Sequence, residues 1–214
     1  MACTAIKGST KMGINLHLVD QRSPRGFTVA VPRHNPRINK ILRMRARLSR
    51  LGIAPGHDQY AMQSLIGESD TMAAVMTEIA SQYSAQALDA IRIECHGIEI
   101  PGAGVFGLRF GQSFNAGDTN EFRRIQPLWS SPYSPVAVGT PYGNVVPRIE
   151  CHGCAPVHGC NAILQALASA ANAPVFASNE SQTVHAARSA NPYAFEGAVF
   201  RFVPGGTARP EQLP

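Results

Sequence analysis

Residues 92–97 have the sequence Arg-Ile-Glu-Cys-His-Gly, and residues 148–153 repeat the same six letters. Each copy stands at the end of an apolar stretch with the composition of a β-strand, Ala90–Cys95 in the first case and Asn144–Cys151 in the second. The second copy continues at once into Cys154. A histidine after one strand and a cysteine after another are the two groups that a cysteine nucleophile with a histidine base requires.

Strand patterns flank the repeat along the chain. The segments that alternate or form short apolar runs are Gly13–Asp20, Phe27–Val31, Tyr60–Ile66, Pro174–Ser178 and Ala198–Val203. The first two are predicted to form a hairpin, and the glycine-spaced segment Gly102–Gly111 predicts a second one. Pro147 places the strand that contains it near an edge or a bulge, because proline cannot donate to a neighbouring strand.

Helical periodicity alternates with these strands. Apolar residues recur at the spacing of one helix face at Met72, Val75, Met76, Ile79 and Tyr83, after a capping pair at Ser69-Asp70. The other predicted helices cover residues 38–50, 119–128 and 161–172. The last of these has an apolar face made of Ile163, Leu164, Leu167 and Ala168.

This alternation predicts an α/β fold with a mostly parallel central sheet and helices on both faces. In sheets of this kind, ligand-binding and catalytic residues gather at the carboxyl ends of the strands. Both copies of the hexapeptide end strands, so we expect both at the same edge of the sheet. If the two strands are neighbours, His96 and the Cys151–Cys154 turn lie side by side there.

Composition sets the class of protein. An apolar content of 44% is ordinary for a soluble globular chain. No apolar run reaches the roughly 20 residues of a membrane span, and the first residues lack the apolar core of a secretory signal. Four of the five cysteines adjoin histidine or glycine, which favours reduced thiols over a disulfide framework. We therefore expect a cytoplasmic protein, or one secreted without a cleaved signal peptide.

The net charge of +5 is concentrated in one segment. Residues 22–50 contain nine lysines or arginines and no acidic residue. Such a patch suits nucleic acid or an acidic membrane surface. The predicted helix 38–50 has no aromatic residue to stack on bases, however, so we favour a solvated basic helix face over a nucleic-acid partner.

The order of these motifs resembles the caspase-like cysteine peptidases, the group of legumain, the caspases, gingipain and clostripain. In that group one strand ends in His-Gly and the next core strand ends in the nucleophilic cysteine. More specifically, His96-Gly97 followed by the glycine hairpin 104–111 resembles a bacterial caspase-like domain of unknown function. There a later Gly-Cys precedes a glycine-containing turn, a helix and a strand ending in Ala-Ser, and residues 153–178 follow that order.

The resemblance covers residues 58–203 and implies a caspase-like three-layer α/β sandwich over that range. Residues 1–57 would form an N-terminal hairpin and a basic helix, either part of the fold or appended to it. Residues 204–214, rich in glycine and proline, are predicted to be a flexible tail.

What the resemblance implies about activity is a His/Cys dyad. His96 would be the general base and Cys154 the thiolate that attacks a peptide carbonyl, with Cys151 as the alternative nucleophile. Backbone N–H groups around Gly97 and Gly153 would stabilise the oxyanion. The expected partner is a peptide or protein substrate, and no cofactor and no metal are expected.

Other functions remain open on the sequence. Cys151, His152, Cys154, His158 and Cys160 fall within ten residues, and thiolate and imidazole are zinc ligands. A catalytically inactive caspase-like module could instead bind partners through residues 22–50, and the thiol could act on an amide or ester other than a peptide. Cys95 and Cys160 are expected to be small buried residues, and the histidines at 34, 152, 158 and 185 to be structural or exposed.

Overall fold

The computed structural model of the chain contains a mixed α/β fold. The residues that it describes are 14–20, 60–66, 70–83, 85, 87–94, 96–100, 105–109, 117–135, 140, 142–152, 157–179, 195, 197–207 and 209–213. The strands in this part of the chain are β1 (Ile14–Asp20), β2 (Tyr60–Ile66), β3 (Leu88–Glu94), β4 (His96–Ile100), β5 (Val105–Arg109), β6 (Arg148–His152), β7 (Val175–Ser178), β8 (Val199–Phe202) and β9 (Glu211–Gln212). The helices are α1 (Met72–Gln82), α2 (Val157–Ala171) and the 3₁₀-helices η1 (Asp118–Leu128) and η2 (Tyr142–Asn144).

Seven of these strands form one sheet in the order β2-β1-β3-β6-β7-β8-β9. The first five are parallel to one another, and β8 and β9 are antiparallel to their neighbours. The prediction of a mostly parallel central sheet is therefore confirmed. Strands β4 and β5 pair as a separate antiparallel hairpin.

One face of the sheet is apolar. It carries alternate residues of the central strands, namely Leu16, Leu18, Ile91, Ile93, Ile149, Cys151, Val175 and Ala177. These join the buried residues of α1, η1 and α2 in one hydrophobic cluster. The helices α1, η1 and α2 thus belong to this face, and the predicted basic helix 38–50 lies outside the described residues.

The opposite face carries a row of buried side chains, three of the four charged, which we call the polar row. Arg92, Glu150, Phe176 and Arg201 occupy paired positions on four successive strands, and each is at most 5% exposed. Successive side chains of a strand point to opposite faces, so the apolar and the polar row come from the same strands. Charged groups that are buried this completely must be paired, and Glu150 is paired with Arg92 and Arg148.

Helix α1 follows its predicted apolar stripe. All five predicted core residues of the stripe are buried. The N-cap, however, is Thr71 and not the predicted Ser69-Asp70, since Thr71 Oγ1 accepts from the backbone N–H of Ala74 at 3.2 Å. A cap of this kind is worth about 1 kcal/mol.

Helix α2 is fixed at its carboxyl end by η1 and the residue after it. Gln126 Nε2 donates to the backbone oxygen of Ala170 at 2.6 Å, and Trp129 Nε1 donates to that of Ala171 at 2.8 Å. These contacts satisfy carbonyls that the last turn of a helix leaves without partners. The predicted apolar face of α2 is buried at all four positions, although the helix starts four residues earlier than predicted.

Three sequence expectations need correction. Strand β6 begins at Arg148, directly after Pro147, and is central in the sheet, so the expected edge or bulge position is wrong. The glycine-spaced segment supplies only the second strand of its hairpin, because His96–Ile100 supplies the first. The tail that was expected to be flexible contains β9, which pairs with β8, and Leu213 N–H donates to the Val199 oxygen at 2.8 Å.

Two further expectations concern other parts of the chain. The strand predicted at residues 27–31, with its hairpin to β1, lies outside the described residues. Among the described residues, β1 pairs in parallel with β2 and β3. Among the described helices, none has the length and apolar character that crossing a membrane requires.

Candidate functional site

The two strands that carry the hexapeptide are neighbours. Strands β3 and β6 pair in parallel from Ala90–Arg148 to Glu94–His152. Their carboxyl ends therefore lie at the same edge of the sheet, at the usual separation of about 4.8 Å between strands. The expectation that both strand ends share one edge is confirmed.

The predicted dyad residues follow these ends at equal distances. His96 comes two residues after Glu94, and Cys154 comes two residues after His152, the partner of Glu94 in the sheet. The backbone of His96 begins β4 and pairs with Arg109. The side chain of His96 and residues 153–156 lie outside the described part of the structure.

The same edge contains the point where the order of the sheet reverses. Strand β2, which follows β1 in the sequence, pairs on one side of β1, and β3 pairs on its other side. Ligands of open α/β sheets bind in the crevice at such a switch point, outside the carboxyl ends of the strands. Strand β1 ends at Asp20, and its neighbour Val19 pairs with Glu94, so the crevice adjoins the first His-Gly.

The two hexapeptides pair out of step. Position 92 faces position 150 and not position 148, so the copies are displaced by two residues in the sheet. A displacement of two leaves every side chain on its own face, because side chains alternate with a period of two. Its effect is to bring Arg92 opposite Glu150 instead of opposite Arg148.

A buried ionic cluster results from this register. Glu150 Oε2 accepts from Arg92 Nε at 2.9 Å and also from Arg92 Nη2, while Glu150 Oε1 accepts from Arg148 Nε at 2.8 Å. His152 Nε2 lies 3.3 Å from Glu150 Oε2. All four side chains are at most 2% exposed. We call Arg92, Arg148, Glu150 and His152 the Glu150 cluster.

The charge state of Glu150 follows from its neighbours. Burial by itself raises the pKa of a carboxyl group, but the positive charge of Arg92, the hydrogen bond from His152 and the charge of Arg148 outweigh it. The pKa of Glu150 is therefore held well below its usual range. The carboxylate is ionised at neutral pH and joins β3 to β6 as an anion.

His152 has a structural environment. Its ring stacks on Phe195 with centroids 4.1 Å apart and planes 4° from parallel. Phe195 in turn meets the ring of Tyr142 edge-on at 5.3 Å, and Tyr142 contacts Phe176 at 5.9 Å. This aromatic set contacts the Glu150 cluster at His152, so the histidine of the second copy is a structural residue, as the sequence predicted.

Cys151 lies on the other face of β6, in the apolar cluster. It is fully buried between Ile93 of β3 and Ala177 of β7. Burial, with smaller effects of Cys160 and Glu150, raises the pKa of the Cys151 thiol far above its usual range. A nucleophile needs a thiolate and access to substrate, and this position offers neither.

Cys160 shares that core. It is fully buried in α2, and burial raises its pKa to about 11. The expectation that Cys160 is a small buried residue is confirmed, whereas Cys95 lies outside the described residues.

Two described residues of the zinc alternative, Cys151 and His152, lie on opposite sides of β6. Cys151 and His152 are consecutive in a strand and point to opposite faces, so a single ion cannot bind both. Among the described residues, no group of three or more His, Cys, Asp or Glu is arranged to hold a metal ion. Cys154 and the side chain of His158 are not part of that description.

The Glu150 cluster is the part of this region that sequence reasoning missed. The repeat drew attention to cysteine and histidine, and its Arg-x-Glu letters were treated only as strand. A signal was present: Arg92, Arg148 and Glu150 stand in apolar strands of a sheet predicted to be mostly parallel, and such sheets are covered on both faces and rarely contain charge. Charged residues at such positions must pair with one another.

Comparison with protein-family models, with curated proteins and with solved structures finds no match to this chain. Its function has to be inferred from its own residues.

Proposed function

We propose that the protein is a cysteine endopeptidase of the caspase-like type, with His96 as general base and Cys154 as nucleophile. The observation that carries this proposal is the parallel pairing of β3 with β6, which ends at Glu94 and His152. Each dyad residue follows one of these paired residues by two positions. Adjacent strand ends of this kind can bring an imidazole and a thiol within hydrogen-bond reach, as nucleophilic catalysis by cysteine requires.

The order of elements also supports the caspase-like assignment. The first His-Gly opens the β4–β5 hairpin, and Cys154 precedes α2 and then β7, which ends in Ala177-Ser178. This is the succession that the resemblance implies. A caspase-like three-layer sandwich further requires helices on the face of the sheet opposite α1, η1 and α2.

The proposed reaction proceeds in two steps. His96 takes the proton of the Cys154 thiol, and the thiolate attacks the carbonyl carbon of the substrate. The imidazolium then protonates the leaving amine as the C–N bond breaks, which leaves a thioester. Water, deprotonated by His96, attacks the thioester, the C–S bond breaks, and the released thiolate regains its proton while the product leaves as a carboxylic acid.

Local structure favours these steps. Helix α2 begins at Val157, three residues after Cys154, and the positive end of a helix dipole favours a thiolate nearby. Backbone N–H groups at Gly97 and Gly153 are the proposed donors to the oxyanion of the tetrahedral intermediate. Glycine suits both positions because a substrate must approach the backbone closely there.

The buried position of Cys151 supports Cys154 as the nucleophile. A substrate carbonyl cannot reach a thiol that is fully buried between β3 and β7 without disrupting the core. The alternative nucleophile would also have to ionise against the cost of burial. Cys154 follows the last residue of β6 by two positions and so is not part of that buried strand.

The test is covalent labelling with a library of thiol-reactive peptidyl probes. We expect labelling of the parent protein and of Cys151→Ala, and loss of labelling in Cys154→Ala and His96→Ala. Labelling that survives in Cys154→Ala and disappears in Cys151→Ala would contradict the assigned nucleophile. Stoichiometric zinc in the purified protein that is lost in Cys154→Ala, or an unreactive parent that still binds a protein partner, would contradict a peptidase.

A further inference from the structure

We infer that Glu150 is a positioning residue for the dyad: it holds the strand that leads to His96 in register with the strand that leads to Cys154. The inference rests on the proposed function, because a dyad must exist for its alignment to matter. Glu150 acts through Arg92 on β3 and through His152 on its own strand, so it is not a catalytic residue.

The spacing along the two strands is the first support. Arg92 stands four residues before His96, and Glu150 stands four residues before Cys154. The two paired charges therefore lie at equal distances from the two dyad positions. The ion pair between Arg92 and Glu150 therefore holds the two strands in the register that places the two dyad positions at the same level.

The repeat itself creates the competing register. If β3 and β6 paired in step, Ile93 would face Ile149 and the apolar face would stay filled. A shift of two residues moves one strand by about 6.6 Å relative to the other, which would separate His96 from Cys154. Apolar packing alone discriminates poorly between the two registers, since both leave each side chain on its own face.

Charge does discriminate between them. The in-step register would place Arg92 opposite Arg148 and Glu94 opposite Glu150, and like charges opposite one another destabilise a sheet. The observed register instead gives Glu150 hydrogen bonds from both arginines. The Glu150 cluster thus favours the alignment in which the two dyad positions are level.

His152 extends this control to the last residue of β6, directly before Gly153 and Cys154 in the sequence. Its ring is held between the Glu150 carboxylate, 3.3 Å from Nε2, and the stacked ring of Phe195. A fully buried side chain with two such contacts has one orientation. Glu150 therefore contacts the last residue of β6 as well as β3.

A matched control exists in the same sheet. Arg201 of β8 and Glu211 of β9 form a cross-strand pair of the same geometry, with Nε 3.1 Å from Oε2 and Nη2 also on Oε2. Arg201 belongs to the same row of side chains as Arg92 and Glu150, and its strand β8 is the third strand from β3 in the sheet. Glu211→Gln therefore removes an arginine–glutamate pair while leaving β3 and β6 untouched.

The first measurement does not depend on activity. In a Cys95→Ala, His96→Cys protein, mild oxidation should join the introduced thiol to Cys154, and peptide mapping identifies the bond. We expect Glu150→Gln to lower the rate of this cross-link at least about tenfold, and Glu211→Gln to leave it within about twofold. Equal cross-linking rates in Glu150→Gln and Glu211→Gln would overturn the inference. So would the absence of a cross-link in the Cys95→Ala, His96→Cys protein that carries neither of these substitutions.

The second measurement separates binding from reaction. With a peptidyl probe, Glu150→Gln should lower the first-order inactivation rate about tenfold or more and leave the half-saturating probe concentration within about twofold. A purely structural role would reduce the fraction of active protein without changing the rate of the remainder. If Glu150→Gln does not fold, Arg92→Lys is the second variant, since it keeps the charge and loses the two-point contact; it should give a smaller fall in both rates.

The outcomes distinguish this inference from the proposed function. A parent that cross-links in a Glu150-dependent way but is never labelled by probes contradicts the peptidase and leaves the alignment by Glu150 standing. In the opposite case, probe labelling requires His96 and Cys154, but its rate is unchanged by Glu150→Gln and Arg92→Lys. That result contradicts the inference alone and leaves the proposed peptidase standing.

Discussion

The two copies of Arg-Ile-Glu-Cys-His-Gly have the same letters and different structures. In the first copy the sheet strand ends at Glu94, and the chain starts a separate hairpin at His96. In the second copy the strand continues through His152, which is fully buried. The difference shows that neighbours in the fold, and not the six letters, decide which histidine remains at the edge of the sheet. Substitutions at equivalent positions of the two copies test this difference.

The largest effect is expected at Glu150, the acidic letter of the second copy. Glu150→Gln leaves Arg92 and Arg148 buried without their shared anion, which should lower the free energy of unfolding by about 3–5 kcal/mol. Chemical denaturation measures the difference. Glu211→Gln is the control, with an expected loss of about 1 kcal/mol or less because Glu211 is 37% exposed and its pair is screened by solvent. Equal losses in the two variants would contradict the role given to the cluster.

The two histidines should respond in opposite ways. His152→Ala removes a buried ring and a hydrogen bond to Glu150, and we expect it to lower the free energy of unfolding by about 2–4 kcal/mol. His96→Ala should change stability by less than about 1 kcal/mol and abolish probe labelling, because its proposed role is in the reaction. A large loss of stability in His96→Ala with normal labelling would reverse the assignment of the two copies.

A pH dependence follows from the same carboxylate. Since its folded pKa is lower than its unfolded value near 4.3, the unfolded state binds more protons, and the stability due to Glu150 is present above that value and lost as pH falls. The gap in unfolding free energy between the parent and Glu150→Gln should therefore narrow below about pH 4.3, by at most about 1.4 kcal/mol per pH unit. Denaturant titrations between neutral pH and roughly pH 3 measure it. A gap that widens on acidification would contradict the ionised cluster.

The smallest effect is expected at Cys151. Cys151→Ala removes one buried sulfur from the apolar cluster and should lower the free energy of unfolding by about 1 kcal/mol. The rate of probe labelling should stay within about twofold of the parent, because the nucleophile is assigned to Cys154. Loss of labelling in a folded Cys151→Ala protein would show that the thiol of the repeat is the reactive one.

Sequence patterns predicted the central architecture because local periodicity carries it. The stripe of α1 and the apolar face of α2 were correct at every position, since a helix that packs on a sheet must be apolar at that spacing. The shared edge of the two strand ends followed from the alternation of strands and helices, whereas the pairing of β3 with β6 is shown by the structure alone. Errors occurred where the outcome depends on a single competing contact, as with Thr71 replacing Ser69-Asp70 as the cap.

The Glu150 cluster could not be predicted in the same way. Its existence depends on the register between two strands that are far apart in sequence, and the repeat makes an alternative register equally compatible with hydrophobic alternation. The role of Pro147 was misjudged for a related reason. The residue precedes β6 and leaves the ladder of that strand intact, so the strand can occupy the centre of the sheet.

The central claim is that the two copies bring His96 and Cys154 together as one catalytic unit. The most direct test is a double-mutant cycle on hydrolysis of a peptide that the parent cleaves, using His96→Ala, Cys154→Ala and the double variant. Residues that act as a unit give grossly non-additive losses, so we expect each single substitution to reduce kcat by at least about 10³-fold and the double variant to be no slower. Losses that multiply in the double variant, or full activity in either single variant, would contradict the dyad.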